Sequence, residues 1–282
     1  MNNDIYQIFY SEETRQSIAP GFIALDNTGQ RPDWREYWPM RRFFLESTLN
    51  PEARYGFFSP KFTQKTGLTS AQARAFVDST PDDVDVITFS PYFDQAAFFN
   101  NVFEHATACH PGIEHAINGA LRLIAPDLNV GATFMSSVQT VFCNYLIAKP
   151  AFWQQWLEKC EVIFRAAEAR DTELALRLNA EVKYEQQRAP AKVFIIERIP
   201  SLILGTQRQW KVRNFNPMTL PVASQPLSRF GADLVALDAL KYAANATGFP
   251  QYVSAYLQLR NNLNERLNTS VGSTASAAGA QK

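Results

Sequence analysis

Neither sign of charge is in excess: 27 lysines and arginines balance 27 aspartates and glutamates, for a formal net charge of zero. A nucleic-acid binder carries a basic surplus, so nucleic acid is not an expected partner. Cysteine is scarce. Cys109, Cys143 and Cys160 are an odd number without metal-ligand spacing, which argues against a disulfide scaffold and for reduced thiols in a cytoplasmic chain. No apolar run reaches the roughly 18 residues of a membrane span. The first fifteen residues carry acids where a secretion signal needs a basic region and an apolar run. Also missing are the glycine-rich dinucleotide fingerprint, the P-loop and the G-x-S-x-G elbow. The three histidines, His105, His110 and His115, are five apart and interrupted by Pro111, so they do not share a helical face. His105 and Cys109 could ligate zinc in principle. No Asp-x-Asp follows a predicted strand; Asp82-Asp83-Val84-Asp85 precedes one.

What is present is core. Hydrophobic residues are 46% and aromatics 13% of the chain, enough for one large α/β domain or two small ones. Residues 141–148, VFCNYLIA, predict a strand buried on both faces. Asn144 stands in its middle, either satisfying nearby backbone or facing a polar ligand. Lys149-Pro150 then opens an amphipathic helix carrying Phe152, Trp156, Cys160, Ile163 and Ala167.

Residues 5–10, 23–25, 55–58 and 84–89 are further predicted strands, with 210–215 as an edge strand. The ends of such strands are favoured ligand sites in open α/β sheets. The first is followed by Tyr10 and Ser11, the third by Ser59 and Lys61, and the fourth by Tyr92 and Asp94. Capping boxes at Asp33/Glu36 and Thr69/Gln72 predict helices, the first kinked at Pro39. Arg41-Arg42 is a solvated pair or a phosphate clamp. Residues 96–106 and 113–124 have helical spacing, and 171–187 reads as a solvated helix or loop. Glu197 and Arg198 interrupt the most apolar segment, residues 192–204, as a buried pair or as chemistry. Two helices are predicted at 229–246 and 251–268, and a disordered tail from 269.

The order of these segments resembles the bacterial capsule and O-antigen glycosyltransferases of GT-A type. Trp34-Arg35-Glu36-Tyr37-Trp38 is similar to that family's Asn/Tyr-x-Glu core. Tyr55-Gly56-Phe57-Phe58 resembles its Tyr-x-Gly strand, without the His-Tyr-Arg-Arg that follows there. Val84-Asp85-Val86-Ile87, Glu104 to His110, residues 142–149 and Phe194-Ile195-Ile196-Glu197-Arg198 match further motifs in order.

The resemblance spans residues 4–204. It implies a GT-A-like (Rossmann-like) central mixed sheet flanked by helices in residues 1–215. The two C-terminal helices lie outside it and are expected as a helical extension in 216–268 packed on that domain, followed by the tail in 269–282. It also implies sugar transfer from a nucleotide sugar to a glycan or lipid-linked glycan acceptor in surface polysaccharide synthesis. Peripheral membrane association is compatible with it. Asp94 and Glu197 are the candidate bases. Tyr10, Ser11, Ser59, Lys61, Tyr92, Asn144 and Arg198 are the candidate donor- or substrate-binding residues. Without an Asp-x-Asp no divalent metal or other cofactor is expected, and Lys61, Arg41 or Arg42 would offset the pyrophosphate charge. The rival expectation is a non-catalytic glycan- or partner-binding module on the same fold.

Overall fold

The computed structural model describes residues 2–184 and 187–279, with side chains except at 184, 187 and 270–279. The chain is α/β. A six-stranded mixed sheet has the order β2-β1-β3-β5-β4-β8. Its strands are β1 (Asn2–Phe9), β2 (Ile23–Asp26), β3 (Ala53–Phe58), β4 (Val86–Thr88), β5 (Leu146–Ala148) and β8 (Val212–Asn214). β1 pairs in parallel with β2 and β3, and β4 with β8. β5 alone is reversed, antiparallel to both β3 and β4. β6 (Glu181–Tyr184) and β7 (Gln187–Pro190) form a separate hairpin.

The two-residue period of the strands splits the core into layers. Tyr55, Phe57, Leu146 and Ala148 face the larger cluster with Trp34, Trp153, Trp156 and Phe194. That side holds α2 (Tyr37–Glu46), α6 (Val102–Cys109), α7 (Glu114–Ile124), α8 (Pro150–Glu168), α10 (Ala191–Ile196) and α11 (Ile199–Thr206). Phe58, Ile87 and Ile147 face the opposite cluster with Phe62 and Val77, on α3 (Phe62–Thr66) and α4 (Ser70–Asp78). Gly56 sits where β3 crosses β5. A Cβ there would lie 2.5 Å from Ile147 Cγ1, so only glycine allows this spacing.

A third cluster docks the C-terminal helices α13 (Gly231–Thr247) and α14 (Pro250–Gly279) onto α5 (Phe93–Phe98). The last carbonyls of a helix have no partner within it. Those at the end of α5 are met from outside: Lys241 Nζ donates to Ala96 O and, at 2.7 Å, to Phe99 O, and Tyr256 Oη donates to Phe98 O at 2.7 Å. The remaining helices are α1 (Glu12–Gln16), α9 (Glu173–Asn179) and α12 (Gln225–Ser228). No helix among the described residues is long and apolar enough to cross a membrane.

Several expectations need correction. The strand predicted over 141–148 is only Leu146–Ala148. Cys143 and Asn144 have φ of 61° and 54°, and two successive left-handed residues turn the chain out of the extended form. Pro39 does not kink α2. The helix starts at Tyr37, so Pro39 lies in the first turn, where its missing N–H costs no helical bond. Asp33 does not cap that helix; it holds Arg31 and Lys192. Residues 96–106 form two helices, because Asn101 accepts from Phe103 N and Glu104 N and restarts the chain. The polar stretch 171–187 holds α9 and the first strand of a hairpin whose Val182 and Ala189 are buried. α14 runs ten residues beyond Thr269, where its composition had been expected to end it; residues 280–282 lie outside the described set.

Candidate functional site

Five strands point one way and β5 the other, so the C-terminal ends of β1, β3 and β4 and the N-terminal end of β5 share one edge of the sheet. The residues just beyond those ends, Tyr10, Ser59, Tyr92 and Cys143, line a cavity of about 480 Å³. Glu36, Arg35, Lys61 and Lys65 contribute a charged wall. Phe142, Phe194, His105 and His110 form an aromatic one, and Glu197, Arg198 and Arg188 complete the lining.

The backbone at the site is strained. Arg35, Tyr92 and Cys143, with φ of 47°, 67° and 61°, all line the cavity. Left-handed conformations in non-glycine residues cost about 1–3 kcal/mol each and gather where function requires a fixed geometry. Tyr92 is held by its N–H donating to Pro221 O at 2.9 Å.

Two carboxylates share the space without a fixed counter-ion. Neither Glu36 nor Glu197 is among the ion pairs of the described residues. Burial raises the pKa of Glu197, the Glu36 charge adds to this, and Lys65, Arg198 and Arg35 oppose it. Arg198 is not the direct partner of Glu197. Its guanidinium donates to Val102 O at 2.9 Å and Phe194 O at 2.6 Å. It also reaches His105 Nδ1 at 3.4 Å. A guanidinium only donates, so Nδ1 accepts and the imidazole proton sits on Nε2, which meets Cys109 Sγ at 3.4 Å. Burial, then the Arg198 charge, lowers the His105 pKa to about 3. His105 is therefore neutral and packs edge-on against Phe99.

The Tyr10 hydroxyl is buried close to Glu36 and makes no hydrogen bond of ordinary geometry among the described residues. Burial, followed by the field of Glu36, pushes its pKa far up, so it stays a neutral donor. Ser59 Oγ is 2.8 Å from Tyr145 Oη, and Lys65 Nζ donates to Cys143 Sγ at 3.4 Å. Burial still drives the Cys143 thiol up to about 11.

The cavity thus brings together Tyr10, Ser59, Lys61, Tyr92, Glu197 and Arg198 of the residues singled out from sequence. It leaves out three. Ser11 is exposed and caps α1 through Thr14 N. Asp94 is 0% exposed, and its carboxylate accepts from Ala223 N, Ser224 N and Gln95 Nε2 at 2.8–3.0 Å. Asn144 is 5% exposed, its Oδ1 has no hydrogen-bond partner among the described residues, and it is not part of the lining. Arg41 binds Glu161, and Arg42 reaches Gln30 and Glu46, so neither is a phosphate clamp at this site.

Glu36, Lys65, Cys143 and Arg188 were not foreseen as site residues, and His105 was weighed only as a zinc ligand with Cys109. Glu36 had one signal, its place in the Trp34–Trp38 motif, hidden beneath the spacing of a capping box. Among the described residues no three His, Cys, Asp or Glu side chains are grouped to hold a metal.

No protein-family model, curated protein or solved structure matches the chain.

Proposed function

We propose that this chain is a glycosyltransferase that moves a sugar from a nucleotide-sugar donor to a glycan or lipid-linked glycan acceptor in bacterial surface polysaccharide synthesis, on the cytoplasmic side. The observation that carries the reading is the cavity at the strand ends, where the carboxylates of Glu36 and Glu197 line the same space as Arg35, Lys61 and Arg198. A parallel sheet with one reversed strand beside the cleft is in keeping with a GT-A-like arrangement.

In this mechanism Glu197 takes the proton of the acceptor hydroxyl as its oxygen bonds to the anomeric carbon. The bond from that carbon to the diphosphate oxygen breaks, and the nucleoside diphosphate leaves with the electron pair. Arg35 and Lys61 offset the charge on the diphosphate. Tyr10 donates to the donor sugar. Burial and a neighbouring like charge bring a carboxylate's pKa toward that of a working base.

Calorimetry with nucleoside diphosphates, then a transfer assay with Glu197→Gln, tests the reading. Binding in both proteins, with transfer lost in the variant by about 10²-fold or more, is expected. A chain that binds no nucleoside diphosphate is not this enzyme. One that binds glycan and transfers nothing is the binding module instead.

A further inference from the structure

Arg54, Lys192, Arg198 and Lys241 are the buried cations of the described residues. A buried charge is tolerated only where it is paired or hydrogen-bonded. Lys192 meets a carboxylate, Asp33, at 2.7 Å. Arg54 and Lys241 end on backbone carbonyls, away from the cavity. Arg198 differs from all three, because it is only 5% exposed and yet lines the cavity.

Its hydrogen-bond partners are neutral. Nε donates to Val102 O, one terminal nitrogen to Phe194 O, and the other to the uncharged imidazole of His105. No ion pair among the described residues includes Arg198. Glu197 acts on it through space. These bonds use one N–H of each nitrogen, and each terminal nitrogen carries a second.

We propose that Arg198 is the seat of a sugar carboxylate, so that the substrate of this cavity includes an acidic sugar. That the ligand is a sugar rests on the glycosyltransferase reading; that it bears a carboxylate rests on Arg198. A diphosphate has other partners, since Arg35, Lys61 and Arg188 are exposed cations of the same lining. Arg198 is single and enclosed. It matches one planar anion, and a carboxylate accepts from two guanidinium N–H groups at once.

The surroundings suit a ring. Phe194 stacks on His110 with centroids 4.1 Å apart, and Phe142 lies beside His105 at 4.9 Å and Tyr92 at 6.1 Å. Pockets of this kind hold the apolar faces of a ligand while a few polar groups fix its orientation. A neutral sugar would leave the buried guanidinium donors unmet, so the site discriminates against it. Glu197, the adjacent residue, is the base for the acceptor hydroxyl, which makes the acceptor the nearer source of the carboxylate.

Saturation-transfer NMR and calorimetry on the full chain test this. The probes are glucuronate, galacturonate, mannuronate and N-acetylneuraminate, each against its own methyl ester, which keeps the ring and removes the charge. At least one acid should bind more than about tenfold tighter than its ester. Arg198→Met should abolish that difference, and Arg198→Lys, which keeps the charge without the fork, should retain part of it. UDP-glucuronate against UDP-glucose and GDP-mannuronate against GDP-mannose separate the sources. A preference for the acid in these pairs places the carboxylate on the donor, and one confined to the free acids places it on the acceptor.

The proposal is overturned if no acid outdoes its ester, if the advantage survives Arg198→Met, or if inorganic phosphate binds at Arg198 and the acids do not. Should the variants misfold, the acid and ester comparison on the wild type decides alone. Failure of the glycosyltransferase reading leaves a different trace: nucleoside diphosphates do not bind, while an acid still outdoes its ester.

Discussion

Glu197 sits where burial and a second carboxylate both disfavour its charge. Its raised pKa means that the ionised base is lost on acidification sooner than an ordinary glutamate would be. The acid limb of the pH–rate profile should therefore lie above the usual carboxylate range. In Glu36→Gln the like charge is gone, ionisation becomes easier, and that limb should move to lower pH. An unmoved limb would mean that Glu36 does not act on the base. Asp94, by contrast, is an acceptor for loop N–H groups. Asp94→Asn replaces one acceptor oxygen with an NH2 donor, so at least one of those loop N–H groups loses its acceptor. It should cost about 1–3 kcal/mol in chemical denaturation, while the limiting rate of transfer in the folded fraction stays unchanged. A rate collapse without destabilisation would return Asp94 to the chemistry.

Among the elements, β3 and β5 approach closely where Gly56 lies against Ile147. Gly56→Ala puts a methyl 2.5 Å from Ile147 Cγ1 and 3.2 Å from Leu146 O. Overpacking of this kind costs about 1–3 kcal/mol. Adding Ile147→Ala removes the nearer clash, so the double variant should lose less than the two single losses added together. Strict additivity in urea melts would count against the contact.

The docking of α13 has its own signature in pH. Burial lowers the Lys241 pKa to about 7, against an ordinary 10.5, with Asp238 opposing the shift. Above about 7 the unfolded chain holds more protons at this site than the folded one, so stability rises with pH until the unfolded lysine also titrates. The comparison belongs between pH 7 and roughly 9, where cysteine ionisation is common to both proteins and cancels in the difference. Wild type should gain stability across that window relative to Lys241→Met. Parallel curves would show that the lysine does not titrate there.

For the whole molecule, the sheet edge, the strained turns and the segment just before α2 build one cavity from residues up to almost 190 positions apart. A nucleoside diphosphate that binds only this assembled state should raise the melting temperature. At about a hundred times its dissociation constant the gain is roughly 2.7 kcal/mol. Lys61→Ala and Arg35→Ala should each reduce that gain and its salt dependence. A shift that survives both changes would place the ligand elsewhere.

Local rules determined much of this protein from its sequence. Apolar, β-rich runs named β1, β3 and β4, the Thr69/Gln72 box opened α4, and Pro150 opened α8, because each depends on neighbours within one turn or pleat. Tyr10, Ser59, Lys61 and Tyr92 were legible for the same reason, since a strand end is marked by the strand itself. Only tertiary structure decided the rest. Asp94 and Glu197 look alike as carboxylates in sequence; one spends its oxygens on loop backbone some 130 residues away and the other faces open space. Asn144 left the site because Cys143 adopts a left-handed turn that its side chain does nothing to announce. Glu36 joined it because the helix it was expected to enter begins one residue later. Burial, partner and direction are properties of the packed chain, and spacing along the sequence carries none of them.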